Sequence, residues 1–215
     1  MNRQIPFSKS LLRREEYKML QDVAFEGEVL DVGGTPKADY HSLIQGTHTM
    51  VTANIDIALR TDYTFDAQQP WPLETSHFNG VICMNVLEHL YLPTTALSEA
   101  QRVLRPGGKI VGSVPFLFNV HGSPDDYFRY TKSALTRLLS DAGFEEIQVH
   151  ELGSGAFAVV YHSLMGFMRF NWMAACSMAV CVWLDKTVAF LRPGNKMSRV
   201  QFPLGYFFEA KKPLS

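Results

Sequence analysis

The chain has 215 residues, 47% apolar and only 19% charged, against about 25% charged in an ordinary soluble domain. That suits one domain with a sizeable core, excludes global disorder, and leaves apolar surface beyond what the core needs. With 20 Lys and Arg against 21 Asp and Glu, the net charge is -1, so the basic excess of a nucleic-acid binder is missing and no nucleic-acid partner is expected.

Residues 1–27 read as a polar, basic, helical lead-in (Arg3, Lys9, Arg13, Arg14) without the apolar stretch of a secretory signal. Residues 28–153 alternate strand and helix. Val29–Val32 is a buried strand running into Gly33-Gly34, and Met50–Ile57 is a second strand. Tyr63–Asp66 is a weaker third, and Gly80–Asn85 a fourth that leads into a helical start at Val86–His89. A helix over Thr94–Leu104 stops at Arg105-Pro106-Gly107-Gly108. Lys109–Val114 is a fifth strand, Ser133–Ala142 a helix closed by Gly143, and Glu146–Glu151 a sixth strand. Residues 154–200 form an apolar helical insertion. Residues 201–215 carry a last strand, Leu204–Ala210, and a tail whose Lys211 and Lys212 are expected to face solvent.

Continuous apolar strands separated by helices predict an α/β fold with a mostly parallel sheet covered on both faces. In such a sheet, ligands bind at the carboxyl ends of the strands. The polar residues that break the apolar runs sit there: Gly33, Gly34 and Thr35, then Asp56, Asp66 and Asn85. Glycines let the backbone approach a ligand, and an acidic side chain after the second strand suits the two hydroxyls of a ribose. Asp66 and Ala67 are placed to meet an adenine amino group. A third glycine, which a dinucleotide pyrophosphate needs, is missing, so a nicotinamide or nucleotide-sugar oxidoreductase is disfavoured. S-adenosylmethionine lacks that pyrophosphate, and its sulfonium tolerates the acidic surround that Asp31, Asp56 and Asp66 supply.

The sequence resembles the class I S-adenosylmethionine-dependent methyltransferases of the broad "type 11" group. The resemblance rests on residues 29–34, 54–57, 66–67, 78–90 and 104–109. Residues 114–121 and 124–131 are similar to a subgroup found with bacterial surface-polysaccharide genes. It implies a Rossmann-like doubly wound seven-stranded sheet with an antiparallel last strand and a helical insertion before it. Asp31, Gly33, Gly34, Thr35, Asp56, Ile57, Asp66, Ala67, Asn85 and Val86 would bind S-adenosylmethionine. Gly33 and Gly34 would pass under its methionine moiety, Asp56 would hold the ribose, and Asn85 and Val86 would line the floor near the methyl group. The chain departs from the family at Thr35, where a glycine is usual, and at Asn79, where an aspartate is usual.

Methyl transfer is an in-line displacement, helped by alignment and, for a hydroxyl acceptor, by a base. His121, in the loop after the fifth strand, is the candidate base, with loop bracing as the alternative. Tyr127 and Arg129 are candidates to orient an anionic or sugar-like acceptor, unless Arg129 pairs with Asp125 or Asp126. Asp56 alone would fit a helix N-cap, His89 reads as a packed histidine, and Cys83 as core. No metal-ligand spacing stands out. The three cysteines, Cys83, Cys176 and Cys181, lie in apolar stretches and predict neither a disulfide framework nor an oxidising compartment.

The expected acceptor is a small molecule, a glycan or a lipid-linked intermediate, methylated at oxygen in the cytoplasm. The segment 155–191 lies outside the core that the resemblance covers. It reads as a lid, a peripheral membrane contact or a homodimer interface, with Arg169, Asp185, Lys186 and Arg192 as flanking charges. Its charge-free stretch falls short of a membrane span. A non-catalytic relative that uses this insertion to bind a membrane or a partner is the alternative.

Overall fold

Seven strands form one sheet in the order β3-β2-β1-β4-β5-β7-β6. They are β1 (Gly27–Val32), β2 (His48–Asn54), β3 (Tyr63–Thr64), β4 (Phe78–Met84), β5 (Leu104–Pro115), β6 (Glu145–Leu152) and β7 (Gly205–Lys211). β7 alone runs antiparallel to its neighbours, β5 and β6. The helices are α1 (Leu11–Leu20), α2 (Pro93–Val103), α3 (Lys132–Asp141), α4 (Ala156–Leu164) and α5 (Asn171–Leu191). This computed structural model describes residues 5, 9–122, 124–165, 171–191 and 198–214.

Local chemistry accounts for the boundaries. Ser10 caps α1 by accepting from Arg13 N, and Thr131 caps α3 by accepting from Ala134 N. Pro93 opens α2, and Gly143, at φ +86°, follows α3. The second strand stops at Asn54 and not at Ile57, because the Asp56 side chain accepts from Ala58 N (2.8 Å) and starts a 3₁₀ turn over Ile57–Leu59. The third shrinks to Tyr63–Thr64, and the helical start after β4 is a single 3₁₀ turn, Leu87–His89. Arg105-Pro106-Gly107-Gly108 lies inside β5, where Leu104 pairs with Phe78 before the ladder slips to Gly80 and Lys109. Lys211 is exposed and pairs with Glu146. Lys212 does not face solvent freely: its Nζ donates to Leu104 O (2.7 Å) and Arg102 O (3.3 Å).

Alternate residues of the central strands feed two cores on opposite faces of the sheet. Leu30, Val81, Cys83, Ile110 and Phe208 pack with Ala96, Leu97 and Ala100 of α2 and Leu135 and Leu139 of α3. Val29, Ile82, Met84, Val111 and Phe207 face the other way, onto Leu11, Leu12, Tyr17 and Leu20 of α1 and Ala158 and Tyr161 of α4. The connection from β1 to β2 holds only a 3₁₀ turn, Asp39–Leu43. No crossover helix covers this second face, so the lead-in and the insertion cover it. The insertion therefore belongs in part to the core, although the sequence placed it outside the core that the resemblance covers.

The insertion has two unlike halves. α4 is packed, whereas α5 contributes one fully buried apolar side chain, Met178, and leaves Trp172, Trp183, Phe190 and Leu191 exposed. Asp185 is no flanking charge. It is buried and accepts from Ser154 Oγ (2.7 Å), Phe157 N and Ala158 N (both 3.0 Å), capping α4 from the neighbouring helix. Residues 172–191 are long and apolar enough to cross a membrane, which the charge-free stretch alone did not suggest. Arg169 and Arg192 lie outside the described residues.

Candidate functional site

A cleft of about 640 Å³ opens at the carboxyl ends of β1, β2 and β4. The strand order reverses there, β1 lying between β2 and β4, and this is the place where a doubly wound sheet leaves room for a ligand. Gly33, Thr35, Asp56, Asp66, Ala67, Asn85, Val86 and Tyr127 line it, together with His89 and Gln68.

Gly33 stands at φ +78°, and a Cβ there would run into the Val86 side chain, so the loop after β1 and the loop after β4 interlock. Asn54, at the end of β2, ties the glycine loop down by donating its Nδ2 to Gly33 O (2.9 Å) and Gly34 O (3.1 Å). Asp56 is both an N-cap and a wall of the cleft: Oδ1 accepts from Ala58 N, and Oδ2 makes no hydrogen bond among the described residues. Asp66 accepts from Gln68 N (2.9 Å), and Gln68 Oε1 in turn accepts from Tyr91 N (2.8 Å) and Leu92 N (3.1 Å). The wall between these polar points is apolar, with Ala53, Phe65, Val86 and Leu90.

Five of the expected residues are not in this cleft. The Asp31 carboxylate is fully buried beneath Gly34, where a Cβ would overlap it. Tyr40 Oη donates to it (2.7 Å), and His41 Nε2 lies at 2.6 Å. Burial raises its pKa against the pull of those bonds. It braces the loop from inside. Gly34 serves the same turn, and Ile57 points into solvent, 77% exposed. Arg129 grips Asp126 with both terminal nitrogens (2.5 and 2.6 Å) and donates to Asn119 O (3.1 Å). That bidentate grip holds the Asp126 carboxyl well below the usual carboxylate range. His121 lines a second cavity, bounded by Phe116, Phe118, Val159, His162 and Met165. Its backbone N donates to Asp126 Oδ2 (2.8 Å), so the pair foreseen for Arg129 exists and secures the His121 loop.

Three carboxylates near the cleft, Glu16, Glu88 and Asp31, are buried in a way the sequence did not reveal. Glu16 of α1 reaches under the cleft, where its Oε1 accepts from Asn85 Nδ2 (2.9 Å) and Ser113 Oγ (3.0 Å). Asn85 itself is left-handed at φ +54°. Burial raises the Glu16 pKa despite Arg13, whose guanidinium lies 3.4 Å away. Glu88 has both carboxylate oxygens buried without a hydrogen bond, and burial pushes its pKa up to about 8. Asp31 is the third. Nothing in a sequence separates such groups from solvated ones, since their partners lie far along the chain. Asn79, the departure at that family position, accepts from Glu28 N (3.2 Å) and joins β4 to β1.

Residues 47–112 match the family model for a methyltransferase domain. No curated protein matches the sequence. Among solved structures, the [4+2]-cyclase SpnF superposes with a TM-score of 0.60 at 17% identity, over 99% of this chain and 86% of its own. A SAM-dependent methyltransferase from Archaeoglobus fulgidus gives 0.56 at 17% identity, over 94% and 91%. Phosphoethanolamine N-methyltransferase 2 of Haemonchus contortus, solved with phosphomonomethylethanolamine and S-adenosylhomocysteine, gives 0.55 at 15% identity, over 91% and 51%. At these identities the likeness is one of fold: a seven-stranded Rossmann-like sheet with an antiparallel β7.

Proposed function

We propose that this chain, a class I S-adenosylmethionine-dependent methyltransferase by its fold and its matched domain, methylates an oxygen of a small-molecule, glycan or lipid-linked acceptor. The cleft at the switch point carries this reading. Its volume and lining fit the cofactor: a glycine at positive φ where a Cβ would close the loop, an aspartate with an oxygen to spare, and an apolar slot that suits a flat ring. Gly33 and Thr35 would face the methionine moiety, Asp56 the ribose hydroxyls, Asp66, Ala67 and Gln68 the adenine, and Asn85 and Val86 the reacting end. Bound there, the cofactor supplies an electrophilic methyl group on a sulfonium. The residues of this chain align it and exclude water. Tyr127, at the rim, donates to Asp125 (3.1 Å) and stacks edge-on to Tyr91, so it is positioned to guide the acceptor in.

Calorimetry with S-adenosylhomocysteine tests the reading directly. Binding is expected, and Asp56→Ala should weaken it by about 1.5–3 kcal/mol, the worth of a hydrogen bond to a charged group. No binding at high protein concentration overturns it. A homocysteine-release assay over a metabolite and glycan panel then identifies the acceptor.

The [4+2]-cyclase among the structural neighbours is one observation that favours a second reading, since this fold hosts chemistry other than methyl transfer. In that reading the chain binds the nucleotide without using its methyl group. Cofactor binding with no turnover on any acceptor would favour it. For location, we place the protein at the cytoplasmic membrane surface through α5, whose Trp172, Trp183 and Phe190 are exposed along an apolar helix. Flotation with anionic vesicles tests this, and an unbound protein refutes it. A dimer through the same helix would instead give a concentration-dependent mass.

A further inference from the structure

A carboxylate and two imidazoles meet where the nucleotide cleft borders the second cavity. Glu88, His89 and His121 each offer one ligand atom, and these atoms all lie within 4.8 Å of one another. His89 lines the first cavity and His121 the second, which measures about 790 Å³. Their rings stand edge to face with centroids 5.1 Å apart.

We propose that Glu88, His89 and His121 bind one divalent cation of the zinc, cobalt or manganese type, and that this ion holds the acceptor between the two cavities. Three independent observations carry the site. First, both oxygens of Glu88 are buried without a hydrogen bond, and the residue is fully inaccessible, so a ligand is wanting on a group that is costly to leave bare. His89 Nε2 is 3.7 Å from Oε1, too far for a hydrogen bond. Two donors that share one ion at about 2.0–2.2 Å lie about 3–3.6 Å apart, so the three ligand atoms, within 4.8 Å of one another, draw inward to hold it.

Second, each imidazole has a backbone carbonyl beside its Nδ1, the outer partner that a metal-ligating histidine commonly has. His89 Nδ1 lies 2.5 Å from Asp125 O, and His121 Nδ1 lies 3.2 Å from Asn119 O. A carbonyl can only accept, so each Nδ1 is the donor there, and in the neutral imidazole Nε2 keeps the lone pair that a metal ion would take. Neither Nε2 makes a hydrogen bond among the described residues. Third, the His121 end of the triad is tied down. Asp126 holds His121 N, and Arg129 holds both Asp126 and Asn119 O. Tyr127 N and Phe128 N donate to Glu88 O (2.8 and 3.2 Å), which fastens that loop to the Glu88 turn. Two nitrogens and one carboxylate oxygen suit a borderline divalent ion and leave coordination positions open.

The role of the ion rests on the methyl-transfer reading; the site itself does not. An acceptor hydroxyl on the ion loses its proton to water more readily. The acceptor oxygen then forms a bond to the methyl carbon, and the carbon–sulfur bond breaks with its electron pair left on sulfur. The products are the methyl ether, S-adenosylhomocysteine and one proton. In this arrangement His121 is a ligand and not the base. The apolar second cavity would take the rest of the acceptor.

The full-length protein, stripped with a chelator, would be titrated with Co²⁺ by visible absorption and by calorimetry, and with Mn²⁺ by calorimetry. One ion per chain with a cobalt d–d band is expected. His121→Ala, in a partly exposed loop that should not affect folding, and Glu88→Gln should each weaken binding by about tenfold or more. His77→Ala should not, although His77 also sits between two carboxylates, Glu28 and Glu74. No cobalt band, or binding that ignores His121→Ala and Glu88→Gln, overturns the site. S-adenosylhomocysteine binding measured on the same samples separates the two ideas. Cofactor binding without ion binding sinks only the metal, and ion binding without cofactor binding upholds the site but sinks the methyl-transfer role.

Discussion

The two faces of the sheet are covered by different means. On one, α2 and α3 are crossover helices, each joining strands that lie near one another, so the chain builds this core from neighbouring segments. On the other, the β1–β2 connection shrinks to a 3₁₀ turn, and cover comes from α1 and α4. The first face is built locally; the second is assembled from segments before and after the residues that line the cleft. Long-range cover of this kind joins the cleft's stability to parts of the chain that never touch a ligand.

The sharpest way to break the contrast is to remove the insertion. Leu204 N donates to Leu152 O (2.9 Å), so residues 154–203 leave and re-enter at adjacent points and a short turn could replace them. The deletion should nevertheless give an insoluble or unfolded chain by circular dichroism, because it strips Ala158, Tyr161 and Met178 from the second face. A soluble, cooperatively folding product would mean that α1 covers this face alone.

Next in size is Glu16→Ala, which leaves Asn85 Nδ2 and Ser113 Oγ without their acceptor. We expect a loss of about 1–3 kcal/mol in urea denaturation, together with weaker S-adenosylhomocysteine binding, since Asn85 forms the cleft floor. Asp185→Ala should cost about 1–2 kcal/mol by uncapping α4, with Asp185→Asn recovering part of it, and should leave cofactor binding unchanged. The smallest effect is one of pH. His162 is buried against Phe118 with neither ring nitrogen hydrogen-bonded among the described residues, and burial lowers its pKa. The unfolded chain therefore takes up a proton more readily, so His162 makes stability fall as pH drops through the ordinary imidazole value of about 6.5. His162→Phe should flatten the dependence of the urea midpoint on pH between about 7.5 and 5.5.

The sheet and the edge of the cleft were legible because each strand announces itself by an apolar run and each polar residue of the cleft by the break that ends it. Gly33, Asp56, Asp66 and Asn85 could be placed at one edge on that ground alone. Asp31 could not, because a buried brace and an exposed ligand look alike until Tyr40 and His41 are seen to close on it. The borrowed cover of the second face was hidden for a similar reason: Glu16 meets Ser113 only in the folded chain. His89 read as a packed side chain and His121 as a base, and their meeting with Glu88 depends on a loop geometry that spacing does not encode.

β7 lies between β5 and β6, yet it comes after both in the chain, with Gly205 pairing with Pro115. During synthesis β5 and β6 emerge with nothing between them, and each exposes a row of unpaired amides and carbonyls until β7 arrives. The sheet therefore closes only by inserting β7 between two strands that precede it in the chain.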